Sequence, residues 1–283
     1  MTTQKCLTLF SENSITVSYT SLHFEQGDTP IHAYAQHRIC ILLSSGMNAI
    51  MGDKMINATS NSILFFRPEE LHFGRVIKSG MHEYIDIFLP LTLPTHFHCT
   101  QVIDFLTDTS KNRINCIQFN PANQTKIQEI SKSIINELLL ADAKSEMRLF
   151  SLILQIILLC SDAYEAAKAN PTNTKFPPFV QNTLLYISKN YTQQISLEQL
   201  AIRERCSISY LARIFKQYTG ITIYQYITNL RFAHAQKLLI DGVSVTEACF
   251  ASGFNDCSSF IKKFKELTNL TPKQFQALKT KNG

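Results

Sequence analysis

The 283-residue sequence predicts a multidomain α and β protein: an N-terminal β-barrel with two attached helices, then an all-α part of two repeated helical units joined by a linker helix. Three observations predict it. The last hundred residues repeat at an offset of 48 to 49 positions, residues 38–89 break into short β-branched and aromatic segments, and the proline-rich stretch Asn170-Pro-Thr-Asn-Thr-Lys-Phe-Pro-Pro178 separates the two regions. Proline denies helix to the residue before it, so the boundary falls there: 1–169, a linker at 170–178, and 179–283. The length suits about two domains of roughly 100–200 residues. With 45% hydrophobic residues, 9 Gly and 9 Pro, the chain is neither collagen-like nor disordered.

Arg38–Leu43, Ser62–Phe66 and His82–Leu89 are short, apolar and separated by Gly, Asn, Asp and Pro, as in antiparallel strands, and several such strands suggest a small barrel. Alternation in the last segment sends Ile85, Ile87 and Leu89 to one face and Tyr84, Asp86 and Phe88 to the other. We take the isoleucine face as the barrel interior. Ile85, Ile87 and Phe73, with Tyr84 and His37 as orienting polar groups, then form a candidate effector site suited to an apolar or aromatic small molecule rather than a sugar.

Asn120-Pro121 opens a helix with Ile127, Ile130, Ile134, Ile135 and Leu138 at helical spacing, and Glu146–Ala167 forms another with Leu149, Leu152, Ile153, Ile156, Ile157 and Cys160. The longest apolar run, Leu149–Cys160, is interrupted by Ser151 and Gln155 and falls short of the roughly 20 residues that span a bilayer. It reads as a buried or dimer-forming helix, and no membrane is expected.

Laying Ile195 onward over Val243 onward exposes the repeat, which pairs Leu197/Val245, Leu200/Ala248, Ala201/Cys249, Leu211/Phe260, Phe215/Phe264, Thr219/Thr268, Thr222/Thr271 and Gln225/Gln274. Each unit reads as a short helix, a turn and a second helix, which is helix-turn-helix grammar. In the first unit Ser207 N-caps a helix whose inner face is Leu211, Ile214, Phe215 and Tyr218; in the second, a Ser252-Gly253-Phe254 turn leads to Asp256 as N-cap before Phe260, Phe264 and Leu267. By subtraction, the outer faces are Ser209, Ala212, Arg213, Lys216 and Ser258, Ile261, Lys262, Lys265. Ile223–Ile240, free of Gly and Pro, joins the units as a helix of about 25 Å.

Ile195-Ser-Leu-x-x-Leu-Ala, Ser209-Tyr-Leu-x-Arg-x-Phe-Lys, Thr219-Gly, Arg231-x-x-x-Ala, Gly253-Phe-Asn-Asp-x-Ser-x-Phe-x-x-x-Phe-Lys and Thr271-Pro-x-x-Phe together resemble the AraC/XylS family of bacterial transcription regulators over residues 180–283. The resemblance implies recognition helices in successive major grooves, with Ser209, Ala212, Arg213, Cys257, Ser258, Ile261 and Lys262 facing bases and Tyr210, Lys216, Lys263 and Lys265 touching phosphate or supporting the helix. Ala212 and Ile261 are apolar where relatives often read bases with polar groups, which shifts readout there toward thymine methyls. Asn269 replaces the glycine of the first copy, Gly220, and tolerates the same left-handed turn.

A looser similarity, over residues 15–95 and resting on the Pro68-Glu-Glu-Leu-His72 turn, is to the cupin-like sensor half of such proteins. It implies a homodimer through the helical pair, for which Ile127, Ile130, Ile134, Leu138, Leu152 and Ile156 are the candidates. His32, His37, His72 and His82 invite a metal, but the His-x-His that metal cupins place before a Glu is missing, and His96-Phe-His98 lies beyond the expected strand. No metal and no cofactor are expected; His72 is expected to hydrogen-bond within its turn.

Charge agrees with a nucleic-acid partner. Residues 180–283 hold 13 Lys and Arg against 6 Asp and Glu, a net +7, whereas the preceding residues hold 14 against 16. Such a basic domain usually meets a polyanion. Eight cysteines without a CxxC pair read as reduced thiols, and the first ten residues lack a signal-peptide run, so a cytoplasmic protein is expected. The leading expectation is a non-enzymatic regulator, an activator of transcription that binds double-stranded DNA, works with RNA polymerase and answers to a small effector. The alternatives are an effector-independent regulator whose first half only dimerises, and a metal-dependent cupin enzyme tethered to DNA.

Overall fold

The structure, a computed structural model, describes residues 3–9, 15–29, 34, 36–51, 54–68, 70, 72–92, 100–108, 110, 113–169, 177–268 and 270–279. The strands are β1 (Thr3–Leu9), β2 (Ile15–Phe24), β3 (Gly27–Asp28), β4 (His37–Leu42), β5 (Met47–Met51), β6 (Lys54–Asn57), β7 (Ile63–Phe66), β8 (His72–Val76), β9 (Gly80–Leu89) and β10 (Cys116–Ile117). They form a six-stranded sheet, β1-β2-β9-β4-β7-β10, and a four-stranded sheet, β3-β8-β5-β6, with antiparallel pairing throughout. The expected closed barrel is therefore corrected to two sheets. Among the described residues no strand pairs across them, and the edge strands β3 and β10, at two residues each, are too short to bridge.

Side-chain alternation gives the six-stranded sheet two different faces. Ile39, Ile41, Ile63, Phe65, Ile85, Ile87 and Leu89 pack with the helices that follow: α1 (Asp104–Thr107), α2 (Pro121–Leu140) and α3 (Ser145–Ala169). The opposite face, Cys40, Leu42, Leu64, Phe66 and half-buried Tyr84, joins Ala49 and Met51 of the other sheet in an intersheet core. This reverses the expected interior. Ile85 and Ile87 belong to the helix-facing core, so they cannot line an intersheet pocket. His37 shares their parity on β4, and Phe73 lies on the far side of the second sheet. Of the five expected effector residues only Tyr84 faces the space between the sheets.

That space is closed by charge. Arg38 donates from Nε and Nη2 to the two carboxylate oxygens of Asp86 at 2.8 and 2.9 Å, and its guanidinium lies 4.7 to 5.9 Å from the rings of Tyr34, Phe66 and Phe88. Arg38 Nη1 sits 3.2 Å from His72 Nε2, and His72 Nδ1 lies 2.8 Å from the Glu70 carbonyl. Arginine has only protons to give, so His72 accepts at Nε2 and donates from Nδ1 to Glu70 within its own turn. Burial alone would loosen the Arg38 proton, but the Asp86 charge outweighs it and holds the guanidinium protonated. Burial, then Asp86, pushes the Tyr84 hydroxyl up to about 12.

The dimer candidates are also corrected. Ile127, Ile130, Ile134, Leu138 and Ile156 are buried in the protein's own sheet-and-helix core and Leu152 packs half-buried against it, so they serve this fold rather than a partner. Helix α3 is long and apolar enough to cross a membrane by length and composition, contrary to the expectation from Leu149–Cys160 alone. Here its apolar stripe, Leu149, Ile153, Ile156, Ile157, Cys160 and Tyr164, lies in that core. The linker residues 170–176, Asn269, His32, His96 and His98 lie outside the described residues. Among the described residues no group of three or more His, Cys, Asp or Glu is placed to hold a metal.

The C-terminal part comprises α4 (Pro178–Asn190), α5 (Leu197–Arg203), α6 (Ile208–Thr219), α7 (Ile223–Ile240), α8 (Val245–Ala251), α9 (Cys257–Thr268) and α10 (Pro272–Lys279). Helix α7 serves two cores. Ile223, Tyr226, Ile227, Leu230 and Ala233 pack with α4, α5 and α6, whereas Phe232, Ala235 and Leu239 pack with α8 and α9. The first core also takes in Ile50 and Phe73, cross-strand partners on β5 and β8, so the outer face of the four-stranded sheet rests on the first helical unit.

Candidate nucleic-acid interface

The repeat extends from sequence to individual hydrogen bonds. Thr219 Oγ1 donates to Phe215 O at 2.8 Å and lies 3.1 Å from Ile221 O; Thr268 Oγ1 donates to Phe264 O at 2.8 Å and lies 3.0 Å from Leu270 O. Thr222 and Gln225 form a capping box at the start of α7, and Thr271 and Gln274 repeat its two backbone-to-side-chain bonds at the start of α10. Each unit thus ends its second helix and begins the next by the same device.

Both second helices begin at side-chain caps. Ser207 accepts from Tyr210 N at 3.2 Å, and Asp256 accepts from Ser258 N and Ser259 N at 3.1 and 2.9 Å. These bonds satisfy amides that a helix start leaves open. Leu211 and Phe215 of α6, and Phe260 and Phe264 of α9, point inward and are buried; Phe232, Phe254 and Phe260 stack around the second core at centroid distances of 4.7 to 5.7 Å. Tyr218, expected inside, is instead exposed, and Thr219 takes the buried position because its hydroxyl is satisfied by the helix end. The Leu267 side chain lies outside the described residues.

The outward faces carry the expected groups. Ser209, Tyr210, Arg213 and Lys216 on α6, and Ser258, Ile261, Lys262, Lys263 and Lys265 on α9, are exposed; Ala212 and Cys257 are half-buried. Arg213 lies over the Tyr210 ring at 5.5 Å, and Tyr210 leans on Phe179 of α4 at 5.7 Å, so Tyr210 supports the arginine from below. Lys263 pairs with Glu266 at 3.1 Å. Among the described residues no ion pair engages Arg213, Lys216, Lys262 or Lys265. These four positive charges are available to phosphate or base edges.

The two units are also held against each other, by residues that sequence reasoning did not single out for this role. Arg231 on α7 donates from Nε to Tyr191 O at 2.6 Å and from Nη2 to Gln193 O at 2.8 Å, fixing the α4–α5 loop. A Cβ on Gly253 would sit 2.6 to 2.9 Å from the backbone of Thr192 in that loop, at a φ of +90° that L residues rarely adopt. Only glycine lets the second turn press so close to the first unit. The first copy has Arg205 at the matching position, with φ +53°, facing solvent. The Gly253 turn was legible in the sequence; what it packs against was not, because Tyr191–Gln193 carries no motif of its own.

Residues 200–277 match the family described as Helix-turn-helix domain. Through this domain the chain resembles the AraC/XylS family. Among its curated relatives, an uncharacterized HTH-type transcriptional regulator in the cgkA 5' region of Pseudoalteromonas carrageenovora is 42% identical over 97 residues, 34% of this chain and 58% of that protein. The bifunctional transcriptional activator/DNA repair enzyme AdaA of Bacillus subtilis is 33% identical over 114 residues, 39% of this chain and 54% of that protein. In both, the chain spans little more than half of the relative's length. The HTH-type transcriptional activator RhaR of Mannheimia succiniciproducens is 25% identical over 255 residues, covering 88% of this chain and 87% of that protein. Among solved structures, the C-terminal domain of AraT from Geobacillus stearothermophilus covers 37% of this chain and 88% of its own at 27% identity and a TM-score of 0.36.

Proposed function

We propose that the chain is a sequence-specific regulator of transcription that binds double-stranded DNA through residues 179–283 and acts in the cytoplasm as an activator, working with RNA polymerase. The observation that carries this reading is the pair of capped, outward-facing helices α6 and α9, each presenting arginine or lysine beside small side chains and fixed to one connecting helix. Basic groups neutralise phosphate and small residues let the helix approach base edges. Relatives named as transcriptional activators support activation as the direction.

The N-terminal part, residues 1–169, joined through 170–178, would dimerise. Leu139, Leu140, Met147 and Leu158 are the apolar side chains exposed on the α2–α3 hairpin, and a groove of about 430 Å³ beside Leu158 runs between the two helices. They replace the buried isoleucines as the dimer face. One specific observation favours the effector-independent reading over control by a small molecule: the intersheet space is filled by the Arg38–Asp86 pair and the rings that sandwich it. An effector would have to displace a satisfied ion pair there.

The test is a gel-shift titration of the full chain on the DNA upstream of its own coding region and on random DNA. Specific binding that weakens linearly in log–log salt supports the reading. A folded protein that binds neither DNA at low salt overturns it. Thermal-shift panels of sugars and of fatty or aromatic acids decide the effector question, silence favouring the effector-independent form.

A further inference from the structure

Two thiols meet inside the second helix-turn-helix unit. Cys249 on α8 is fully buried in the core of Phe260 and Phe264, and Cys257, the first residue of α9, packs half-buried against the same core while reaching solvent. Their side chains lie within hydrogen-bonding reach of each other. Burial first, and then the Cys257 thiol, raise the Cys249 pKa to about 12, which keeps Cys249 a thiol in the resting protein. Among the described residues, the other cysteine pair that shares a core is unlike this one. Cys40 and Cys116 flank Leu64 on opposite neighbouring strands, about 9.6 Å apart at 4.8 Å per strand, too far for a bond between sulfurs.

We propose that Cys249 and Cys257 form an oxidisable dithiol that hydroperoxides convert to a disulfide, releasing the second recognition helix from DNA. The proposal rests on α9 being a reading helix. In the first step the Cys257 sulfur attacks the terminal peroxide oxygen, the O–O bond breaks, and the hydroperoxide leaves as an alcohol (water, for hydrogen peroxide) while Cys257 becomes a sulfenic acid. In the second step the Cys249 sulfur attacks the sulfenic sulfur, the S–O bond breaks, and water carries away the oxygen and the Cys249 proton. Two thiols lose two electrons and two protons; the peroxide takes both.

The geometry makes the product incompatible with reading. A disulfide brings the sulfurs to about 2.05 Å, which draws the start of α9 toward the buried Cys249 and disturbs the Asp256 cap just before it. Cys257 and Ser258 open the helix, so the shift falls on the residues nearest the bases. The same placement means that bound DNA covers Cys257 and should protect it.

The experiment treats the reduced full-length protein with hydrogen peroxide, with and without prior binding to its upstream DNA. The tryptic peptide Leu238–Lys262 holds both cysteines. In free protein it should lose the mass of two hydrogens and regain them with dithiothreitol, in parallel with reversible loss of specific binding at least tenfold; DNA should slow both. Cys249→Ala and Cys257→Ser should each retain after the same treatment the affinity that variant shows before it, whatever change Cys257→Ser makes to the untreated affinity. Peroxide-sensitive binding that persists in both variants, or an unlinked peptide in oxidised wild type, overturns the proposal. Because the mass readout needs no DNA, linkage without any DNA binding in the reduced protein would count against the DNA-binding reading instead.

Discussion

Arg205 bears backbone strain that its counterpart Gly253 escapes. Both stand at the turn between the helices of their unit, at φ +53° and +90°, but a side chain in the left-handed region costs about 1–2 kcal/mol that glycine avoids, less glycine's own entropy loss. Arg205→Gly should therefore raise stability by roughly 0.5 kcal/mol, read as a higher urea midpoint. Gly253→Ala should lower it by more than 1 kcal/mol because strain and collision with Thr192 add. Equal and opposite shifts would show that the backbone at Thr192 yields freely. His37 sets a pH dependence. Burial first, then the Arg67 charge, hold its folded pKa below the ordinary 6.5, so the unfolded chain binds the proton more readily. Its stabilisation is complete above pH 6.5 and drains as pH falls through that value toward the folded pKa. His234 is lowered in the same sense by burial and by Lys237. His37→Gln should flatten the loss of stability between about pH 7.5 and 5.5 without abolishing it, which chemical denaturation across that range would register. A slope unchanged by the substitution would remove His37 from the account.

At the scale of elements, the proposed DNA-facing helices α6 and α9 should separate reading from anchoring. Arg213→Ala should cost about 1–3 kcal/mol on the specific site and little on random DNA, whereas Lys265→Ala should weaken both alike and shallow the salt slope by about one charge. Identical behaviour of the two variants would show that these faces are misassigned. The Arg38–Asp86 pair links strands β4 and β9. Asp86→Ala should destabilise by about 3–5 kcal/mol by orphaning a buried guanidinium, while Arg38→Met with Asp86→Leu should lie much closer to wild type. The helical repeat was legible in detail because each inner position recurs as an apolar residue and each cap as Ser, Thr or Asp; Ile223–Ile240 matches α7 end to end. The sheets were legible as strands but not as faces. Alternation separates Ile85 and Ile87 from Tyr84 and Asp86, yet both faces of β9 are buried, one by helices and one by a second sheet, and a period of two cannot say which neighbour covers which. The buried Arg38 was missed for a related reason: a charge is ordinarily read as exposed until its partner, 48 residues away, is known. Strands β1 and β2 and helix α4 carry no motif and went unread.

For the whole molecule, the exposed α2–α3 side chains predict self-association. Leu158→Glu with Leu140→Glu should shift the full chain from dimer to monomer in sedimentation velocity while leaving its circular dichroism intact, since neither side chain lies in the core. A protein monomeric before the change removes this face from consideration. The clamp of Arg231 on Tyr191 and Gln193, with Gly253 against Thr192, has a consequence for the target rather than the protein. Two readers on a slack tether would follow their half-sites when spacer base pairs are inserted, at a modest entropic penalty. On the proposed reading, two readers bolted to one helix cannot. Insertion of five base pairs between the sequences read by α6 and α9 turns one of them to the opposite side of the duplex, and insertion of a full turn of about 10 base pairs restores the side but not the distance. Both inserted targets should fall to the affinity of a single half-site, so the genome can vary the letters of such a target but not its phase or length.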